Sequence, residues 1–282
     1  MNYGDSVLLG LVEGLTEFLP ISSTAHLTLA EKILGLSIDN KGVTAYTAVI
    51  QMGAILAVIL YFVRDIGRII ASWFRGLTRP EERNSDYRMG WWAIIGTIPI
   101  GLIGFALRNV VSGSLRSLWW IGFALVLWSA VIVYAERVAA TRALSRDDEV
   151  RGEAEITAKD VIVIGLVQCF ALIPGVSRSG ATISAGLIRG LDRVTATRVS
   201  FFLSIPALLA AGLFELKDVH GSGISAGQTI VGTLVAFVVA YASVAWLLRF
   251  VSHHSIARFV PYRVVLGFVV LALLIAGVTS AR

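Results

Sequence analysis

The sequence predicts an all-α integral membrane protein of six full transmembrane helices plus two re-entrant helix pairs, arranged as an inverted-topology repeat. Three observations carry that prediction. Of 282 residues, 56% are hydrophobic and 15% charged, with a mean hydropathy of +0.78, beyond what a soluble chain of this length normally holds. Six apolar stretches are long enough to cross roughly 30 Å of hydrocarbon at about 1.5 Å per residue. A short phrase also occurs twice, 155 residues apart: Gly10-Leu11-Val12-Glu13 leads to Pro20-Ile21-Ser22-Ser23-Thr24, and Gly165-Leu166-Val167-Gln168 leads to Pro174-Gly175-Val176-Ser177-Arg178-Ser179.

The six stretches are about 43–63, 90–107, 118–135, 200–216, 226–248 and 263–279. Two others, about 6–19 and 160–173, are nearer 14 residues, too short to cross, and each stops at a Pro followed by small hydroxyl residues and another short apolar helix. Each reads as a helix–loop–helix that enters and leaves on one side, which is tolerated where the broken backbone is buried or lines a wet cavity. One such pair plus three spans makes a half, and because three is odd the second half is inverted relative to the first. The expectation is a single membrane domain over 1–282, with repeats about 1–140 and 156–282 joined by a cytoplasmic loop. The polar stretch from Ser145 to Glu153 reads as that loop, solvated and without chemistry.

The basic residues orient this arrangement. Of 24 Lys and Arg, 17 fall in the segments 64–89, 136–159, 189–198 and 249–263, which the topology puts on one side. The positive-inside rule makes that side cytoplasmic and turns both termini outward. The same rule accounts for the net charge of +5, so nucleic acid is excluded as a partner. The first nine residues hold Asp5 and no basic residue, so no cleavable signal is expected. Cys169, the one cysteine, lies in an apolar run and excludes an intramolecular disulfide. Trp91, Trp92, Trp119 and Trp120 read as interfacial anchors, and His253 and His254 receive no role. Gly101 and Gly104 suit either internal packing or a homodimer.

In this topology the two phrases converge near the membrane middle, and their residues define a candidate site. Glu13 and Glu17 are four apart, so on a helix they share a face and can meet one divalent cation. The competing reading is two ordinary acids at the membrane surface, but Pro20 and the hydroxyls place them just before the break. Ser22, Ser23 and Thr24 exceed what one helix cap needs, and His26 is within helical reach of Ser22 or Ser23 as base or proton donor. Arg178 cannot shed its charge and its planar fork matches phosphate oxygens, although an ion pair with Glu13 or Glu17 also answers it. Ser177, Ser179 and Thr182 flank it, and Gln51 in the first span either lines the site or bonds a neighbouring helix. Acids for a cation, an Arg for phosphate, clustered hydroxyls and a His together describe phosphoryl transfer on a lipid substrate.

The segments Glu13-Gly14-Leu15-Thr16-Glu17-Phe18-Leu19-Pro20-Ile21-Ser22-Ser23-Thr24-Ala25-His26 and Pro174-Gly175-Val176-Ser177-Arg178-Ser179-Gly180-Ala181-Thr182 closely resemble the two signature segments of the bacterial undecaprenyl pyrophosphate phosphatases, also called bacitracin-resistance proteins. The resemblance covers essentially the whole chain; Ala25 departs from the family's usual Gly without removing a functional group. It implies an undecaprenyl-diphosphatase of the bacterial inner membrane, multi-pass, with an active site facing the outer side, acting on a polyprenyl pyrophosphate for cell-wall carrier recycling. It further implies a divalent metal, Mg²⁺ or Ca²⁺, and indirect competition by bacitracin, which binds the substrate. By motif position, Glu13 and Glu17 would hold the metal or govern proton transfer and Arg178 would clamp the pyrophosphate. Ser23 would be the nucleophile, with His26 as base or acid and Ser22, Thr24, Ser177, Ser179 and Thr182 positioning oxygens. Direct attack by metal-activated water is the alternative, with Ser23 only a ligand. An inverted-repeat transporter or flippase for a phosphorylated lipid is the rival from another class.

Overall fold

The structure, a computed structural model, describes residues 1–38, 40–145, 150–219 and 224–281, with the side chains of 112 and 216–219 outside that description. Among the described residues the regular secondary structure is helical, apart from one isolated parallel bridge between Arg151 and Leu191. Among these residues six helical stretches are long and apolar enough to cross a membrane: α3 (Lys41–Tyr61), α5 (Ser85–Ala106), α7 (Leu118–Leu144), α10 (Arg193–Val219), α11 (Ala226–Val251), and Ile256–Ile275, most of which is α12 (Val260–Ile275). The sequence located all six; α7 and α10 run further than their apolar stretches, because a helix does not have to end where the hydrocarbon does.

The two short stretches are helix–break–helix units. α1 (Tyr3–Thr16) stops before Pro20 and α2 (Ser23–Ile33) follows; α8 (Ala158–Gln168) stops before Pro174 and α9 (Arg178–Ile188) follows. α1 and α8 both start on a capping box, Asn2 with Asp5 and Thr157 with Asp160, which satisfies the first free amides. α2 and α9 both start on a serine in the left-handed region, Ser22 at φ 77° and Ser177 at φ 74°. Non-glycine residues rarely hold that conformation, so it marks a turn that the surroundings enforce.

Packing exchanges the two ends of the chain. α1 lies along α11, α8 along α5, α3 on α10 and α7 on α12. The repeated glycine makes the first two contacts possible: a Cβ on Gly10 would fall 2.5 Å from the Gly232 carbonyl oxygen, and one on Gly165 would fall 2.5 Å from that of Gly96. Phe18, fully buried, packs edge-on to Phe201 of α10 at 5.2 Å and so anchors the end of α1. A Cβ on Gly101 would meet nothing within 4 Å, so no close helix contact depends on a glycine there.

Three expectations change. Part of the segment 64–89, read from sequence only as an Arg-rich connection, forms α4 (Val63–Thr78). Ile66, Ile69, Ile70, Trp73, Phe74 and Leu77 recur there at helical spacing, opposite Arg64, Arg68 and Arg75. Arg263, counted with the basic loops, is fully buried on α12. The expected solvated loop falls partly on 146–149, outside the described residues, but its end is anchored. Arg151 pairs with Asp160 at 2.7 Å, and Glu153 with Arg198 at 2.7 Å. α6 (Arg108–Ser112) is a short connection between α5 and α7.

Candidate active site

Glu17 caps the C-terminal end of α1, its amide bonding the Glu13 carbonyl at 2.9 Å, so the two acids sit one turn apart. Its carboxylate then gathers three other helices. Oε2 accepts from Ser23 Oγ at 2.6 Å and from Gln51 Nε2 at 2.9 Å, while Oε1 accepts from Arg178 Nη2 at 3.0 Å. α1, α2, α3 and α9 thus meet at one group, whose side chain is 3% exposed against 9% for Arg178. A charge pair so far from water is strong only when both partners stay.

Arg178 also donates from Nη1 to the Ser200 carbonyl at 3.4 Å, and its buried Nε has no partner, leaving one donor of the fork free for an anion. Ser200 and Ser129, both buried, were not singled out from sequence; a serine in an apolar span carries no pattern that sets it apart.

The hydroxyls of the second break are committed to protein. Ser179 Oγ donates to the Leu19 carbonyl at 2.9 Å, Ser177 Oγ lies 3.4 Å from the same oxygen and caps Gly180, and Thr182 Oγ1 is 2.6 Å from Ser200 Oγ. These residues stitch the breaks together. Ser22 caps Ala25, and Thr24 is exposed.

His26 is engaged away from Ser23. Nδ1 is 2.7 Å from the Ser22 carbonyl and Nε2 is 2.6 Å from the Tyr262 hydroxyl, with the two rings stacked. A carbonyl only accepts, so Nδ1 carries the proton and Nε2 accepts from Tyr262. The expected contact between His26 and a serine hydroxyl is therefore replaced by Glu17 with Ser23. Helical spacing made His26 reachable from Ser23; the bend at Ser22 aimed Ser23 back at α1 instead. Tyr262 had no sequence signal beyond being polar near a span end.

Glu13 is fully buried and neither of its carboxylate oxygens accepts a hydrogen bond. An ionised carboxylate in that state is costly unless a cation answers it or a proton neutralises it. Arg178 already serves Glu17, so the site holds a surplus acid. The carboxylates of Glu13 and Glu17, one turn apart, are oxygen donors of the kind a hard divalent cation takes. No cluster of three or more acidic, His or Cys side chains occurs among the described residues. A cation there would complete its shell from water and substrate oxygens, as Mg²⁺ commonly does.

Residues 6–269 match the bacitracin resistance protein BacA family. The chain is 58% identical, over all of both chains, to an undecaprenyl-diphosphatase of Acidothermus cellulolyticus. It is also 52% identical, again over both full lengths, to undecaprenyl-diphosphatase 3 of Frankia casuarinae, and 47% identical, over both full lengths, to an undecaprenyl-diphosphatase of Cutibacterium acnes. With Ser23 and Arg178, one from each motif, meeting at Glu17 and the likeness running from end to end, the chain belongs to the bacitracin-resistance protein BacA family.

Proposed function

We propose that this membrane protein removes the terminal phosphate of undecaprenyl pyrophosphate, releasing undecaprenyl phosphate and inorganic phosphate. The observation that carries the reading is the 2.6 Å hydrogen bond from Ser23 Oγ to Glu17 beside Arg178. A serine hydroxyl donating to a buried carboxylate is a nucleophile next to its base. Ser23 Oγ attacks the terminal phosphorus, its proton passes to Glu17, and the bond to the bridging oxygen breaks, with undecaprenyl phosphate leaving. Glu17 passes that proton on to the departing undecaprenyl phosphate; water then attacks the phosphoserine, Glu17, ionised again, takes its proton and returns it to Ser23 Oγ as the bond from serine to phosphorus breaks, and phosphate departs. Arg178 turns its fork from Glu17 to the phosphate oxygens, using the free Nε and holding the phosphorus in line. A divalent cation held by Glu13 and Glu17, when bound, would neutralise charge on the pyrophosphate oxygens. His26 fixes the Ser22 turn through its carbonyl. Its use as an acid requires Tyr262 to give way.

In the same reading the two helix–break–helix units are re-entrant and the halves are inverted. The Arg-rich end is cytoplasmic, and the site opens to the outer face of the inner membrane. The left-handed serine at both breaks and the exchanged packing of α1 and α8 support the repeat.

The test is phosphate release from undecaprenyl pyrophosphate by the purified, detergent-solubilised chain. Release that Ser23→Ala abolishes, with phosphate trapped on Ser23 in the unmodified chain, supports the mechanism. A folded wild-type chain that releases none while moving phosphorylated lipid across vesicles would make it a carrier instead.

A further inference from the structure

Arg263 is among the largest fully buried side chains of the protein, and its hydrogen-bond partners include no carboxylate. Its Nη1 donates to the Pro20 carbonyl at 3.0 Å, its Nη2 to the carbonyls of Gly175 and Val176 at 3.1 and 3.2 Å, and its Nε to Ser129 Oγ at 3.2 Å. Pro20 precedes the left-handed Ser22 by two residues, and Gly175 and Val176 run directly into the left-handed Ser177. One guanidinium therefore spans both breaks.

Where a helix stops, its carbonyls lose their partners, and buried ones must find others. The fork supplies donors in a rigid plane, which a lysine or an apolar residue cannot do. A buried charge without a counter-ion is a costly way to gain stability alone, since apolar replacements of buried ions are often neutral or better. What the fork adds is a fixed spacing between the two turns. Ser23 begins one helix and Arg178 the other, so that spacing sets how far the nucleophile stands from the phosphate clamp. Tyr262, the preceding residue on α12, holds His26 of the same first break.

We propose that Arg263 is a positioning residue: by clamping the carbonyls of both broken helices it sets the approach of Ser23 to the phosphate held by Arg178. This rests on the phosphatase reading. The experiment compares wild type, Arg263→Lys and Arg263→Gln as full-length, detergent-solubilised protein, measuring kcat and KM on undecaprenyl pyrophosphate alongside Tm and monodispersity. Both variants should lose about 100-fold in kcat with KM within about three-fold, because misplacement costs the transition state while Arg178 still binds the ground state. The Lys variant should do little better than Gln, since the fork rather than the charge is the clamp. A lower Tm with kcat per folded molecule unchanged, or full kcat in the Lys variant, overturns the assignment. Should neither variant fold, Ser129→Ala frees Nε alone and is expected to lower kcat about three-fold at near-normal Tm; unchanged kcat there overturns it equally. An inert wild type would sink the phosphatase reading, whereas an active wild type with unaffected variants sinks only the role of Arg263.

Discussion

At the first break Ser22 turns the chain at φ 77° and caps α2 through the Ala25 amide; at the second Ser177 does so at φ 74° and caps α9 through Gly180. The backbones are near copies, and the side chains are not. Past Ser22 come a half-buried Ser23 bonded to Glu17, an exposed Thr24 and a half-buried His26. Past Ser177 come Arg178 and the fully buried Ser179 and Thr182, whose hydroxyls serve the Leu19 carbonyl and Ser200. The helices before the breaks differ in the same sense, with the acid Glu13 matched by the amide Gln168 at the equivalent position, both fully buried and with side-chain polar atoms that have no hydrogen-bond partner. In the proposed mechanism one backbone device thus carries a reactive arm and a holding arm: starting a helix straight after a turn poses the same problem twice, while that mechanism uses one nucleophile.

Removing the reactive hydroxyl tests this contrast most severely. Ser23→Ala should lower phosphate release by at least about 1,000-fold with an unchanged Tm, while Ser179→Ala loses about ten-fold or less; equal losses would erase the division of labour. Next in size, Arg178→Lys keeps the charge but not the fork and should cost about 100-fold in kcat/KM. The two buried equivalents separate by metal: after chelation, Glu13→Gln should need about ten-fold more Mg²⁺ for half-maximal rate, and Gln168→Glu should leave the titration in place. The caps sharpen the likeness instead, since Ser22→Ala and Ser177→Ala should each cost about 1 kcal/mol of stability, read as similar falls in Tm.

The effect furthest from the reaction concerns Asp160, in the first turn of α8 and outside the six spans. Burial pushes its carboxyl up, but hydrogen bonds from Arg151, Thr157 and Arg189 outweigh that and hold it well below the ordinary range. A depressed folded-state value stabilises the protein above the ordinary carboxyl pKa of about 3.9 and is lost as pH falls toward the folded value. Asp160→Asn should therefore lower Tm at neutral pH, with the gap closing below about pH 4. A gap that persists in acid would assign the loss to packing.

Much of the architecture was legible in the chain. The six spans and both broken helices follow from run length, Pro placement and hydroxyls, which are local properties. α4 was missed despite its helical spacing because its arginines lower its mean hydropathy, and Arg263 was placed among the surface arginines because a count by segment is blind to burial. At the site, an ion pair of Arg178 with Glu13 or Glu17 is the competing reading the sequence offers beside phosphate binding, and the structure forms it with Glu17. Glu17 with Ser23, and Tyr262 with His26, were not legible, because each depends on how a turn at Ser22 aims the following residues.

The sequence by itself determined which segments prefer the bilayer and which residue types it places at the breaks, because transfer free energy and turn preference are set by short stretches of chain. Only the tertiary structure decided that Ser23 faces Glu17 rather than His26 and that Arg263 joins Pro20 to Gly175 and Val176. Hydrogen bonds work over about 3 Å, and that closeness between distant residues is set by the packing of every helix together.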